Sequence, residues 1–335
     1  MRPDTSLIDT FGRVATDLRV SLTDRCNLRC GYCMPPEGLE WLPKPEVLTD
    51  DEVVRLVRIA VQMLGVTEVR YTGGEPLLRR GLADIVRRTA ELRPRPELSI
   101  TTNGIGLDRL AEPLRQAGLD RVNVSLDTLD REVFIKLAHR DRLADVLAGL
   151  EAAVRAGLAP VKVNAVLMRG VNEHEAGSLL RYCLERGYQL RFIEQMPLDA
   201  QHGWRRDNMV TADEILAQLT EAYELIPDAP EERGSAPAEA FLVGGYDGAK
   251  VGVIGSVTRP FCGACDRVRL TADGQVRNCL FAREESDLRG ALRSGAPDEE
   301  IADRWRRAVW IKRPGHGIDD AAFLQPARPM SAIGG

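Results

Sequence analysis

Cys26, Cys30 and Cys33 stand at C-x3-C-x2-C spacing, and Cys262, Cys265 and Cys279 form a second set, C-x2-C followed by thirteen residues and a third cysteine. Three thiolates within eight residues can hold three irons of a four-iron–four-sulfur cluster. The fourth iron is then left without a local protein ligand. An open coordination position is where a metal does chemistry. The alternative for the first set is a structural zinc ion closed by a fourth ligand from elsewhere in the chain. Around the second set there is no nearby histidine, and Asp266 or Asp273 would be unusual partners for three thiolates. A second cluster with an open iron aimed at a substrate is the simplest reading there. The seventh cysteine, Cys183, lies in a helical pattern between Tyr182 and Leu184 and reads as a small buried hydrophobe.

These thiols need a scaffold, and the chain supplies one. From about Asp17 to Glu194, short β-branched runs alternate with amphipathic helical stretches. Strands are expected at Leu18–Leu22, Glu68–Thr72, Leu98–Thr102, Arg121–Leu126, Val161–Leu167 and Leu190–Gln195. Helices are expected between them: from a T-x-x-E capping box at Thr49 and Glu52 to Leu64, then near Leu82–Leu92, Asp108–Ala117, Leu143–Ala156 and Glu173–Arg186. Repeated β-α units imply an α/β fold on a parallel sheet. Right-handed crossovers could curl six units into a partial barrel or wind them as an open doubly wound sheet. The first cysteine set directly follows the first strand. It therefore sits at the strand's C-terminal end, where β/α folds place their active sites.

Asp228–Ala240 is rich in Pro, Ala, Glu and Gly and reads as a linker or exposed loop. A glycine-rich stretch, Gly244–Gly255, and the second cysteine set follow. We expect a barrel over residues 11–227 and a smaller C-terminal domain over 228–335 that carries the second cluster. No internal repeat with solenoid spacing is present.

Side chains alternate across a strand. Leu18, Val20 and Leu22 oppose Asp17, Arg19 and Ser21. Val69 and Tyr71 oppose Glu68, Arg70 and Thr72. Leu98 and Ile100 oppose Ser99 and Thr101. Val122, Val124 and Leu126 oppose Asn123 and Ser125, and Val161, Val163 and Ala165 oppose Lys162 and Asn164. The apolar face suits a layer of helices. A barrel filled only by packing would carry Val, Ile and Leu on the other face too. That face instead carries Arg19, Arg70 and Lys162, as expected for a wide polar cavity that takes a polyanion. One solvated sheet face is the plainer alternative. Arg267 and Arg269, on one side of Arg267–Thr271, likewise read as an anion clamp or as a solvated strand face.

The 335 residues suffice for one large domain and a smaller one. A net charge of −5 does not suggest general nucleic-acid binding. No apolar run could span a bilayer, and Met1 to Asp9 contains no signal-peptide core. A cytoplasmic location, where thiols stay reduced, is expected. No heptad or apolar patch marks an interface, which leaves monomer and homodimer both open.

The first cysteine set, with Tyr32 in the aromatic slot before Cys33, resembles the signature of the radical S-adenosylmethionine (SAM) superfamily. Thr72-Gly73-Gly74-Glu75-Pro76 resembles the segment that meets the SAM methionine amine, and Ser125 and Met196 fall where the superfamily contacts SAM. The resemblance implies a partial (βα)6 TIM-type barrel. It also implies a cluster whose open iron chelates SAM and donates an electron, releasing a 5′-deoxyadenosyl radical.

A narrower resemblance runs from about Phe11 to Gly335. Cys262-Gly263-Ala264-Cys265-Asp266-Arg267-Val268-Arg269-Leu270-Thr271, then Asn278-Cys279-Leu280-Phe281-Ala282, Leu18 to Asn27 and the terminal Gly334-Gly335 are similar to the GTP 3′,8-cyclase family, which opens molybdopterin synthesis. It implies two [4Fe-4S] clusters, on Cys26, Cys30, Cys33 and on Cys262, Cys265, Cys279. Tyr32, Gly74, Ser125 and Met196 would contact SAM. Arg19, Arg70, Thr101, Lys162, Arg267 and Arg269 would bind GTP, and the glycine tail would enter the active-site region and assist turnover. The implied reaction removes hydrogen from C3′ of GTP and joins C3′ to C8. A reductant protein and, downstream, cyclic pyranopterin monophosphate synthase are the implied partners. Another two-cluster radical SAM enzyme, such as a peptide-modifying one, and a non-catalytic electron-transfer module are the competing readings.

Overall fold

The computed structural model describes residues 6–229 and 233–334. Gly335, three residues of the expected linker and the first five residues fall outside that range. Twelve strands form one sheet: β1 Asp17–Ser21, β2 Glu68–Thr72, β3 Glu97–Thr102, β4 Arg121–Ser125, β5 Val161–Val166, β6 Gln189–Ile193, β7 Leu225–Pro227, β8 Glu239–Val243, β9 Lys250–Ile254, β10 Arg267–Leu270, β11 Gln275–Arg277 and β12 Ser286–Asp287. The order is β12-β11-β10-β1-β2-β3-β4-β5-β6-β9-β8-β7. From β10 through β1–β6 to β9, every neighbouring pair is parallel. The outer strands turn back antiparallel.

The six expected strands and the first four expected helices are present, each within a residue or two of its expected limits. Between the strands lie α1 Asp50–Leu64, α2 Leu82–Ala90, α3 Leu107–Gln116, α4 Arg131–Ala138, α5 Leu143–Arg155, α6 Ala176–Arg186 and α7 Ala212–Thr220. The capping box at Thr49 and Glu52 forms, and Gly65 ends α1 in the left-handed region. Helix α4 was not expected. It is a short helix capped by Asp130, whose carboxylate accepts from the N–H groups of Glu132 and Val133. The fifth expected helix starts at Ala176 rather than Glu173, after a turn. The region expected to be all linker holds the start of β8.

The segment 228–335 does not keep a sheet to itself. It places β9 beside β6 and β10 beside β1, so it widens the barrel sheet at both edges. Strands β12 and β7, at the two ends of the order, do not pair, and the barrel stays open. Its outer face holds the core. Leu18, Val20, Val69, Tyr71, Leu98, Ile100, Val122, Val124 and Val163 are fully buried. So is Cys183, on α6.

One buried carboxylate joins barrel to C-terminal segment. Glu194, just after β6, accepts from the N–H groups of Ala212 (2.7 Å), Val257 (2.8 Å) and Thr258 (2.9 Å). Glu194→Ala strands these donors, and we expect it to cost about 2–4 kcal/mol of stability. Anaerobic urea denaturation checks this. An unchanged midpoint would refute the role given to Glu194.

Candidate active site

The inner face of the sheet encloses a cavity of about 320 Å³, in the range of small-molecule sites. It is lined from every one of the eight parallel strands, including Arg19, Arg70, Thr101, Ser125, Asn164, Arg191, Ile254, Arg267 and Arg269. All six motif cysteines open onto it. So do Tyr32, Gly74 and Met196. Of the expected SAM and GTP contacts, Lys162 alone is not on the lining. It is half-buried on the same face of β5, beside Asn123 of β4.

The first thiol loop is held by backbone bonds. Helix α4 spends two of its orphan C-terminal carbonyls here: Ala138 O accepts from Arg29 N (2.9 Å) and Leu137 O from Gly31 N (3.1 Å). On the other side the Gly73-Gly74-Glu75 turn is zipped to the strand exit, with Gly74 N donating to Thr23 O and Glu75 N to Arg25 O, both at 2.8 Å. A Cβ at Gly74 would strike the carbonyl oxygens of Asp24 and Arg25, so only glycine fits this approach. The Glu75 carboxylate, buried and pushed up to about 7, accepts from Leu77 N, Thr102 Oγ1 and Asn103 N.

Tyr32 donates its hydroxyl to Asp127 Oδ2 (2.7 Å), and Val166 N donates to Asp127 Oδ1 (2.9 Å). Burial lifts Asp127 to about 6. Burial also raises the thiols of Cys26, Cys30 and Cys33, the last to about 12. Thiols so placed are poor nucleophiles and ionise only against a cation such as iron.

The second loop is stapled by arginines outside the cavity. Arg13 donates to Cys262 O (2.7 Å), and the buried Arg277 donates to Leu280 O (3.3 Å) and to Glu285 (2.6 Å). Burial opposes ionisation of Cys265, but Arg267 and Lys312 outweigh it and bring this thiol down to about 7.

Each loop offers three thiols and no disulfide. Among the described residues no three His, Cys, Asp or Glu side chains converge closely enough to share one ion. A zinc site gathers its sulfurs at about 2.3 Å from a single centre. A four-iron cluster takes each sulfur to a different iron. The donor sets therefore fit clusters.

Between the two loops runs a belt of cations. Strand register sets Arg269 beside Arg19 and Arg19 beside Arg70, while Asn164 stands beside Arg191. Asp17 is the buried carboxylate among them, 3.8 Å from Arg19 and 3.7 Å from Arg70. Burial and neighbouring cations depress Arg19 well below its ordinary value and bring Arg191 to about 9. The described end of the tail lies here too. Ser21 Oγ donates to Ile333 O (3.1 Å) and Arg269 Nε to Gly334 O (3.3 Å).

The sequence reading missed Arg191, Asp127 and Lys312. Arg191 was findable, since it alternates with Leu190 and Phe192 on the sixth strand. Asp127 and Lys312 lie outside strands and carry no periodic signal.

Residues 20–183 match the family model described as Radical SAM superfamily, and residues 188–318 that described as Molybdenum Cofactor Synthesis C. Two solved structures share the fold: Streptococcus suis SuiB bound to S-adenosylmethionine (TM-score 0.60, 14% identity, 92% of this chain and 69% of that one) and native anSMEcpe with bound AdoMet (0.58, 15%, 90% and 81%). Fold and thiol loops thus define a radical SAM protein. The GTP 3′,8-cyclase of Streptomyces coelicolor is 68% identical over 329 residues, covering 98% of this chain and 96% of the relative. That of Corynebacterium glutamicum is 59% identical over 337 residues, covering 98% and 89%. At such identity over nearly the whole length, the chain belongs to the GTP 3′,8-cyclase family.

Lys162 gives the belt a pH signature. Burial, then Arg191, Arg121 and Arg70, lower it from 10.5 to about 8. Between those values the unfolded chain binds more protons, so this lysine weakens folding below pH 8 and stops doing so as pH rises through the window. Lys162→Met should melt higher than the parent chain at pH 7, by a few degrees, and lose that advantage by pH 10. A melting difference that does not change between pH 7 and pH 10 would contradict the assignment.

Proposed function

We propose that the chain is a radical SAM lyase that converts GTP to (8S)-3′,8-cyclo-7,8-dihydroguanosine 5′-triphosphate, the first step of molybdenum-cofactor biosynthesis. Family membership supports this. The observation that carries it is one cavity faced by two three-thiol loops with a buried cation belt between them.

Two [4Fe-4S] clusters fit the loops: when bound, that on Cys26, Cys30 and Cys33 supplies the electron that cleaves SAM to methionine and a 5′-deoxyadenosyl radical, and that on Cys262, Cys265 and Cys279 offers an open iron to the guanine ring. The remaining work falls to the protein. Tyr32, Gly74, Ser125 and Met196 hold SAM, with Asp127 fixing the Tyr32 hydroxyl. Arg19, Arg70, Thr101, Lys162, Arg267 and Arg269 hold GTP, chiefly its triphosphate, and Arg191 joins them. Charge-assisted bonds from buried cations are strong, and they fix the ribose against the radical's carbon.

The C3′–H bond then breaks and its hydrogen passes to C5′ of the deoxyadenosyl group. C3′ bonds to C8, and one electron and one proton complete the dihydro product. The barrel residues 11–227 serve SAM, and 228–335 serve the second cluster and substrate on the shared sheet. Gly334 lies on the belt beside Arg269. A reductant protein supplies the electrons, and cyclic pyranopterin monophosphate synthase takes the product. We place the chain in the cytoplasm: no helix among the described residues could cross a membrane, and the described cysteines are all free. A peptide substrate would have no use for so many buried cations.

Arg267→Ala should keep about eight irons per chain while GTP binding weakens by at least about tenfold, the loss of one charge-assisted bond. Iron assay and anaerobic equilibrium dialysis read both. Loss of the second cluster in this variant would contradict the substrate role.

A further inference from the structure

Lys312 is a buried cation that the nucleotide cannot reach. It follows the helix Asp298–Trp310, is only 4% exposed, and does not line the cavity. Its ammonium has three N–H donors, and three acceptors surround it: Cys265 O at 3.0 Å, Arg267 O at 3.0 Å and Cys265 Sγ at 3.3 Å. Among the described residues it has no carboxylate partner within ion-pair distance. A buried charge is costly unless something of opposite sign compensates it. Here the compensating group is the sulfur and whatever that sulfur ligates.

The first thiol loop is built differently. Cys26 Sγ accepts only from neutral donors, Leu28 N at 3.5 Å and Asn103 Nδ2 at 3.8 Å. Asp127, which lines the cavity, and the buried Glu75 are the nearby carboxylates, and Arg29 is the nearby cation. The two loops share one cavity, but only Cys265 Sγ accepts from a lysine ammonium among the described residues.

We infer that Lys312 is a positioning residue for the second cluster, which donates a charged N–H···S bond to Cys265 and raises that cluster's reduction potential relative to the SAM-site cluster. The inference rests on the two-cluster reading given above. The step concerned is the gain of one electron from a chemical reductant such as titanium(III) citrate. A fixed positive charge beside a ligand sulfur favours the more negative, reduced cluster, because hydrogen bonds to sulfur and local charge set these potentials. Arg267 and Arg269 face the substrate and lose part of their charge effect when a polyanion binds. Lys312, behind the loop, keeps its effect in every state of the cycle.

The test is an EPR-monitored redox titration of the reconstituted full chain, made for the parent, Lys312→Met and Lys312→Gln after iron assay. We expect the second cluster's midpoint to shift to more negative potential in Lys312→Met. Lys312→Gln keeps a hydrogen-bond donor without the charge and should shift less. The SAM-site midpoint should stay where it is in both. A second-cluster midpoint that does not move in a fully loaded variant would overturn the inference and leave Lys312 a backbone staple.

If neither variant loads, the parent chain decides. With lysine 15N-labelled at Nζ, pulsed EPR of the reduced second cluster should show coupling to one 15N, and its absence would overturn the inference. A parent chain holding only about four irons would instead refute the two-cluster reading itself.

Discussion

Everything in this molecule is arranged around positive charge held where water is scarce. Arg19, Arg70, Arg191, Arg267 and Arg269 converge inside the barrel, with Asp17 as the buried carboxylate among them. Like charges at such proximity depress one another and oppose folding. A fold keeps such a belt only if rigid strands hold it and a bound polyanion repays it. The parallel register does the holding: Arg269, Arg19 and Arg70 sit side by side on three adjacent strands, locked by backbone ladders. The apolar face behind them supplies the burial that makes the barrel stable despite its interior.

The same geometry shows how the C-terminal segment reaches the cavity. Strand β10 brings Arg267 and Arg269 into the belt only because it pairs with β1. The loop just before β10 then places Cys262 and Cys265 on the cavity that Cys26, Cys30 and Cys33 also line. Two cations of the belt and the second thiol loop are thus delivered by one edge pairing. The tail uses the remaining opening. Gly334 fits because a side chain there would strike Ser21 and Thr72, and its carbonyl reaches Arg269.

Much of this was legible in the sequence because it rests on short-range patterns. The thiol spacings, the capping box at Thr49 and the two-residue alternation that separated Arg19, Arg70 and Thr101 from their apolar neighbours are local signals. Alternation pointed those three inward, and the structure places them on the cavity wall. Arg191 was missed although the same alternation applies to it. Other features are set by distant pairing and leave no local mark. Helix α4 is only eight residues long, and its use as an anchor for Arg29 and Gly31 depends on tertiary placement. The joining of β9 to β6 and β10 to β1 is equally invisible, since nothing local marks which strands will pair. Lys312 looks like any lysine after a helix until its three acceptors are known.

The central claim is that the belt and the two thiol loops present C3′ of GTP to a radical made from SAM. Anaerobic turnover of the reconstituted chain with SAM, a reductant and GTP deuterated at C3′, read by mass spectrometry, tests it most directly. The account predicts deuterium in 5′-deoxyadenosine together with a cyclised GTP product. Deoxyadenosine free of deuterium, with GTP recovered unchanged, would contradict it and assign the cavity to another substrate.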